Sequence, residues 1–549
     1  MTRGRIAALV LAAVAVFSWL PALVDQARDV DVLLYAAAAA RANAAGTLPY
    51  VAAWIEKGPL AMGLFQLLFA LFGAFNLAAV AVAWLVLVLG TMWMVACLAR
   101  RLGGGAWWAA ALFAAALPAV GGTLNTEIPA AAAAMGALLV WLRARRQGDG
   151  GFRLAALAGL LAGVAFLCRQ NAGILAPAMV AADLVTSGAR LPWRLRLRRP
   201  LVLAAGFAAL PLLTVMVYGA LGELEAFLFC FHGYNVNFYI AASRVTTERL
   251  LLAPWTAITN FLVPVATVAT LGLAGMGAVL LGPLRFRRAS PEQGAARLAT
   301  LVLALSVFAG LFTGLRFFAH YFALALPFWA ALGGWFVGVK MRGARPAHAL
   351  AAALLVLTAL GLEVGRRPWW DTLARTKEWV VSGRILEAAD PLAWPRRDGL
   401  STAAARYIRE NSSPRDRVFV WGMRPHVPVY ARRLPATRFV TSTFLAGVVP
   451  WERLEPEDGT ADWIVPGAWD LFMADMERER PLFIVDAGYD HMFGHGAHSP
   501  DHYPLLGDLL TRDYEQVKTF GEIDRLVLWR RKRDEASAPL TSEYPETIP

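Results

Sequence analysis

Apolar stretches long enough to cross a bilayer recur along the first two thirds of the chain, and every second loop between them is basic. A helical crossing takes about 20 residues of low polarity. Such segments are read near 6–24, 77–99, 106–121, 127–142, 154–168, 171–187, 201–221, 258–282, 298–315, 320–339 and 347–364. The expectation is a mainly α, multi-pass bundle of about eleven transmembrane helices. Leu60–Gly73 is apolar but too short to span, and is expected to lie along the interface. Arg3 and Arg5 before the first apolar run also suit a signal peptide. That run is longer than a usual signal core and further spans follow, so it is read as a retained span.

Loop charge sets the orientation. Of the 27 Lys and Arg before Glu363, 20 fall in alternate loops: Arg3/Arg5, Arg100/Arg101, Arg143/Arg145/Arg146/Arg153, Arg190/Arg194/Arg196/Arg198/Arg199, Arg285/Arg287/Arg288/Arg297 and Lys340/Arg342/Arg345. The other seven are Arg28, Arg41, Lys57, Arg169, Arg244, Arg249 and Arg316. By the positive-inside rule the N-terminus is cytoplasmic, and an odd span count puts the C-terminal region outside. The expected location is a membrane, with that region on its outer face. Composition agrees: 58% of residues are hydrophobic and 17% charged, against about 25% charged in soluble domains. The net charge of +12 is accounted for by the loops, so no nucleic-acid partner is called for. Cys97, Cys168 and Cys230 show no metal-ligand spacing and read as small core residues.

Residues 1–364 are thus expected to form the membrane domain and 365–533 a separate extracytoplasmic α/β domain, with a polar, disordered tail at 534–549. In the second domain, helices are expected at 401–411, 469–479 and 503–512, and strands at 417–421, 482–486, 514–520 and 526–530. No glycine loop suited to phosphate is present there. His491, His495, His498 and His502 crowd one loop with Asp490 and Asp501. Without regular spacing this is more often a plain loop than a metal site.

The acids gather on the outward side. Of the 11 acidic residues before Glu363, eight lie in outward loops: Asp25, Asp29, Asp31, Glu56, Glu127, Glu223, Glu225 and Glu248. The first outward loop, about 25–58, is long enough to suggest a function. Asp31 and Tyr35 are four residues apart and share a helix face. The simpler reading is a solvated amphipathic helix on the membrane, and for Asp25 and Asp29 that reading is preferred.

Asp31-x-x-x-Tyr35, Gly46-x-x-Pro49-Tyr50 and Lys57-Gly58-Pro59 together resemble the polyprenyl-phosphate sugar transferases of the GT-C fold. More narrowly, the loop is similar to glycosyltransferase families 39 and 83, which include protein O-mannosyltransferases, the lipid A aminoarabinose transferase and the rhizobial galacturonosyl transferases. The family's Asp-Glu has Val32 in second place, and its Lys-Pro-Pro has become Lys57-Gly58-Pro59. Asn125-Thr126-Glu127 resembles its second acidic site. Gly163-x-Ala165-x-Leu167-x-Arg169-Gln170 resembles its basic turn, and Arg316-Phe317-x-x-His320-Tyr321 its late motif. Arg417–Gly422 resembles a strand in the C-terminal domain of bacterial members.

The resemblance implies a GT-C bundle and transfer of a sugar from a polyprenyl-phosphate donor to an acceptor lipid, glycan or protein, with inversion. It also implies a bacterial inner membrane, with the C-terminal region in the periplasm. It makes Asp31 the catalytic base and Glu127 a second catalytic acid. Lys57, Arg169, Arg316 and His320 become the donor-phosphate ligands, with Tyr35, Tyr50 and Tyr321 beside them. No cofactor is required, although a divalent metal on Asp31 and Glu127 is a weaker expectation. The chemistry asks for these residue types. A lipid phosphate leaves as a stable anion, so the site needs a carboxylate to accept the acceptor's proton and cations for the developing charge. Ionisable residues at span ends are costly and are functional candidates by default. Plainer roles compete: snorkelling anchors for Lys57 and Arg169, a polar helix cap for Arg316 and His320, and an N-cap partner for Glu127. Trp54, Trp107, Trp108, Trp193 and Trp255 read as interfacial belt residues. A non-enzymatic lipid-sugar flippase or transporter is the alternative. It is disfavoured because no internal repeat is seen and the charges gather at one face.

Overall fold

The structure, a computed structural model, describes residues 29–120, 124–147, 151–186, 193–243, 246–282, 290–342, 344–365, 399–449, 459–490, 493–494 and 496–532, with isolated positions 13, 16, 377 and 392. The expected first span, Asp25, Arg28, Arg244, His491, His495 and the tail from 534 lie outside these residues, apart from positions 13 and 16. The chain divides into two compact units, Met1–Trp394 and Pro395–Pro549.

In the first unit, Asp29 caps helix α1 (Val30–Ala45), its Oδ1 accepting the N–H of Asp31 at 3.0 Å. Gly46, at φ 65°, closes the helix by donating to the carbonyls of Ala42 and Asn43. A run of alanines is the strongest helix former available, and here it also thins the helix. Every residue from Val32 to Ala42 is buried, Arg41 included, its Nε donating to the Ala52 carbonyl at 2.7 Å. This corrects the expectation of a solvated amphipathic helix: small side chains let the bundle close around α1. Helix α2 (Pro59–Phe72) is about 21 Å long, short of a bilayer. It buries Ala61, Met62, Phe65 and Phe69 and exposes Leu67, Leu71 and Phe72, as an interfacial helix with apolar flanks would.

The bundle continues through α3 (Leu77–Leu102), α4 (Ala106–Ala116), α5 (Glu127–Arg146), α6 (Phe152–Cys168), α7 (Leu175–Thr186) and α8 (Trp193–Ala220). It is completed by α9 (Leu224–Leu228), α10 (Thr247–Ala257), α11 (Ala266–Leu280), α12 (Pro291–Gly310), α13 (Leu326–Met341) and α14 (Pro346–Gly365). Every expected span after the first coincides with a helix. Among the described residues, however, five helical stretches are long and apolar enough to cross a membrane: 77–102, 127–146, 196–220, 247–280 and 291–310. The count of eleven is therefore not established. Several expected spans break into shorter pieces, such as 170–174 and 319–324, where 3₁₀ turns precede α7 and α13. Large apolar residues stay exposed on α3 and α8, among them Val86, Trp93, Leu201 and Met216. Water would not tolerate such a surface, and lipid would. Helices α6 and α8 meet backbone to backbone: a Cβ on Gly159 would collide with the Leu203 carbonyl, and one on Gly206 with that of Ala156. Small residues serve this purpose in membranes.

The second unit holds a five-stranded sheet in the order β2-β1-β3-β5-β4. Strands β1 (Arg417–Trp421), β2 (Leu434–Pro435) and β3 (Phe483–Asp486) are parallel; β4 (Tyr514–Phe520) and β5 (Leu526–Arg531) join antiparallel. Strands β1 and β3 pair from Val418↔Phe483 to Trp421↔Asp486. Both are buried nearly throughout, as parallel strands covered on both faces should be. The expected helices appear as α15 (Gly399–Glu410), α18 (Ala468–Glu479) and α19 (Pro504–Asp513). Two short helices, α16 (His426–Ala431) and α17 (Thr443–Ala446), had no sequence expectation.

Candidate active site

Asp31 stands in the first turn of α1 because Asp29 caps that turn. The Oδ2 of Asp29 also accepts from Asn125 Nδ2 at 3.1 Å, and the Asn125 carbonyl accepts from Trp84 Nε1 at 2.8 Å. One capping residue thus ties the start of α1 to the turn before α5, and so to Glu127. Asp29, expected on a solvated helix face, is instead engaged by both carboxylate oxygens.

Lys57 arrives from the other end of the same loop. Its ammonium lies 3.9 Å from Asp31 Oδ2 and 3.2 Å from Glu56 Oε1, and its side chain is 8% exposed against 24% for Asp31. The carboxylate therefore remains open to an incoming molecule while the cation is enclosed. Tyr50, at φ 78°, donates its hydroxyl to the Lys57 carbonyl and packs against Tyr218 and Phe227. Its hydroxyl thus holds the backbone of Lys57. Gln170 and Asn235 both donate to the Glu56 carbonyl, at 3.0 and 2.9 Å. Gly58 explains the departure from Lys-Pro-Pro. Its φ of −66° would suit proline, but a Cβ would overlap the carbonyl oxygens of Leu167 and Cys168.

A second carboxylate–cation pair adjoins the first. Glu127 opens α5 and is 1% exposed. Arg169 Nε lies 3.2 Å and His320 Nε2 4.0 Å from its Oε1. The Arg169 guanidinium also covers the Tyr321 ring at 4.4 Å. Arg316 is buried, stacked 3.7 Å over the ring of Tyr239 and donating to its carbonyl at 3.0 Å. Tyr239 in turn acts electrostatically on Tyr321.

The two pairs form one electrostatic unit. Burial works to raise the pKa of Asp31, but Lys57, His320 and Arg169, with the Tyr35 hydroxyl, outweigh it and hold the carboxyl below its usual value. Burial likewise opposes the charge on Lys57, while Asp31, Tyr35 and Glu56 keep its pKa well above the ordinary one. Tyr35 is buried beside Asp31 without a partner at full hydrogen-bond geometry, and its own pKa is pushed well up by burial and by Asp31. Asp31 and Lys57 are thus both ionised at neutral pH. Arg169 is held charged by Glu127 against its own burial.

Of the residues singled out in sequence, Asp31, Tyr35, Lys57, Glu127, Arg169, His320 and Tyr321 come together, and Arg316 joins through Tyr239. Sequence reasoning missed Tyr239 and Asn235. Among the described residues no group of three or more His, Cys, Asp or Glu could hold a metal ion. Asp31 and Glu127 each face a cation, Lys57 and Arg169 respectively. In the histidine loop, His498 Nδ1 meets the Tyr503 hydroxyl at 2.8 Å, His502 Nδ1 meets Ser499 Oγ at 3.5 Å, and Asp490 pairs with Arg424.

The family described as dolichyl-phosphate-mannose-protein mannosyltransferase matches residues 56–218. That stretch contains Lys57, Glu127 and Arg169 and leaves out Asp31, Arg316 and His320. No curated protein matches in sequence. Among solved structures, apo ArnT from Cupriavidus metallidurans is 19% identical at a TM-score of 0.55, covering 96% of this chain and 98% of its own. The same enzyme bound to undecaprenyl phosphate gives 18% and 0.54, with the same coverage. Archaeal oligosaccharyltransferase AglB from Archaeoglobus fulgidus, in complex with an inhibitory peptide and a dolichol-phosphate, gives 15% and 0.50, covering 97% of this chain and 75% of its own. The likeness extends over nearly the whole chain and is one of fold.

Proposed function

We propose that this multi-pass membrane protein, built on the GT-C fold, is a glycosyltransferase. It moves a sugar from a polyprenyl-phosphate donor to an acceptor hydroxyl at the outer face of a bacterial inner membrane. The observation that carries this reading is the open carboxylate of Asp31 beside the enclosed ammonium of Lys57. The matched family and the polyprenyl phosphates bound by two proteins of like fold support the donor class.

Asp31, ionised, accepts the proton of the acceptor hydroxyl as its oxygen attacks the anomeric carbon. The bond to the donor phosphate breaks, and the phosphate leaves as an anion needing no proton. Lys57 and Arg169, with His320 at the rim, offset its growing charge. Glu127 is too deeply buried to meet an acceptor, so it acts as a positioning residue that aims Arg169 and His320. Arg316 holds Tyr239, and Tyr321 lies under Arg169. One displacement with the base opposite the leaving group inverts the anomeric centre. The acceptor is a lipid, glycan or protein bearing a hydroxyl.

The test compares two neighbouring carboxylates. Asp31→Asn should cut transfer from a polyprenyl-phosphate sugar by at least about 10²–10⁴-fold while donor binding persists. Asp29→Asn keeps an acceptor for the Asp31 N–H, gives up the one for Asn125 Nδ2, and should retain most activity. An active Asp31→Asn enzyme would sink the assignment. Protein that only reorients the donor between leaflets, without transfer, would favour a flippase.

A further inference from the structure

Helix α5 runs from Glu127 to Arg146, about 30 Å, so its far end lies at the opposite membrane face from the carboxylate–cation pairs. There a cavity of ≈ 270 Å³ opens among α3, α5, α7 and α12, lined by Arg101, Arg145, Arg146, Thr186 and Glu292. Three guanidiniums thus share one space with a single lining carboxylate. Arg145 is fixed from behind. It lies 3.3 Å from Asp183 Oδ1, a buried carboxylate that also meets Arg199 at 3.3 Å and the Trp141 indole at 3.2 Å. Arg145 also donates to Thr186. Arg101 gives one N–H to the Leu139 carbonyl at 3.1 Å, and Arg143 and Arg146 are near enough to repel it. Arg146 meets Glu292 at 2.9 Å with both side chains about half exposed (49% and 60%). Its pairing is thus the weak, solvent-screened kind.

We propose that this cavity binds a phosphate-bearing anion, the phosphodiester headgroup of an anionic phospholipid in the leaflet facing the basic loops. A guanidinium presents planar donors that match phosphate oxygens, and a bound monoanion relieves the repulsion among the arginines. At about 30 Å³ for each water displaced, the space takes a phosphate with its glycerol but not acyl chains. Those chains have an apolar route alongside, since Val185, next to Thr186, is 67% exposed. Basic pockets between spans on the cytoplasmic side bind acidic headgroups by this physics. Bound there, the lipid bridges the ends of α3, α5 and α12 and steadies the far end of the helix that carries Glu127.

The test uses the full-length protein in detergent, probed by native mass spectrometry with dioleoyl-phosphatidylglycerol or dioleoyl-phosphatidylcholine, and by thermal shift with each lipid or with inorganic phosphate. Wild type should retain phosphatidylglycerol under activation that strips phosphatidylcholine, and should melt higher with it. Arg101→Gln/Arg146→Gln spares the Arg145–Asp183 pair and should weaken that binding at least tenfold. Arg146→Gln alone, at a half-exposed position, should weaken it in the same direction if the double variant fails to fold. Equal retention of the two lipids, or variants that hold phosphatidylglycerol like wild type, would overturn the site. A melting rise with inorganic phosphate and none with phosphatidylglycerol would overturn the lipid source and assign the cavity to a soluble anion.

Discussion

Asp31 sits between burial, which raises its pKa, and Lys57, His320 and Arg169, which together bring it below the usual carboxylate value. The ionised form of the base is therefore favoured, and the acid limb of the activity should lie below the ordinary carboxylate range. Lys57→Met removes the strongest attraction and leaves the burial, so the Asp31 pKa should rise. Rate–pH profiles should then show the acid limb of the variant displaced upward, with an overall loss of roughly a hundredfold or more from the missing phosphate contact. An unshifted limb would mean that Asp31 is not the titrating base. Asp486, at the end of β3, is a contrasting case. Burial, with a smaller push from Asp501, raises its pKa to about 7 against the pull of the Gly488 N–H and Arg525. A carboxyl with a raised folded-state pKa favours the fold most below its unfolded value, near 4. That contribution is lost as pH climbs to 7. Asp486→Asn keeps an acceptor for the Gly488 N–H, 2.8 Å away, and removes the titration. Protease resistance of the 395–549 unit against temperature should therefore improve at pH 8, by on the order of 4 kcal/mol at most, and change little at pH 4.

At the scale of elements, the turn into α2 sets where Lys57 can stand. Gly58 brings that turn against the carbonyls ending α6, so Gly58→Ala and Gly58→Pro should both be harmful although either residue can adopt the observed φ of −66°. Each is expected to lose most activity while the purified protein stays folded; full activity with either substitution would show that the close approach to α6 is not what selects glycine. This contact was illegible in the sequence because it joins residues over a hundred positions apart. The Asp31–Tyr35 pair was legible because helical spacing is local, whereas Lys57 reached Asp31 only through the family resemblance. Burial of α1 was misread because an alanine run fits a solvated helix and a tightly enclosed one equally well. Tyr239 was missed because it lies in a π-helical stretch, Asn235–Ile240, where the 3.6-residue period fails; such turns gather at functional sites. In the second unit four of the five strands were legible almost to the residue, β1 and β3 because they are short apolar runs bounded by polar turns, whereas the two-residue β2 is too short to leave a pattern.

For the whole molecule, shared fold fixes the arrangement of helices but not which membrane face each end meets, and the proposed chemistry depends on that. Glu127 opens α5 and Arg145 and Arg146 end it, so one helix links the acidic end to the basic end and the two must lie on opposite sides. We infer from the positive-inside rule that the basic loops are cytoplasmic and that Asp31, Lys57 and Glu127 face outward; the odd span count expected from the sequence would put residues 395–549 on that same side. The native cysteines interfere little with a labelling test, since Cys168 and Cys230 are buried and Cys97 partly so. An impermeant maleimide applied to right-side-out vesicles should label Asp508→Cys, at an exposed position of α19, and spare Arg194→Cys, at an exposed position of α8, until the membrane is opened. The reverse pattern would place Asp31 in the cytoplasm, where the donor sugar and its acceptor would have to be sought instead.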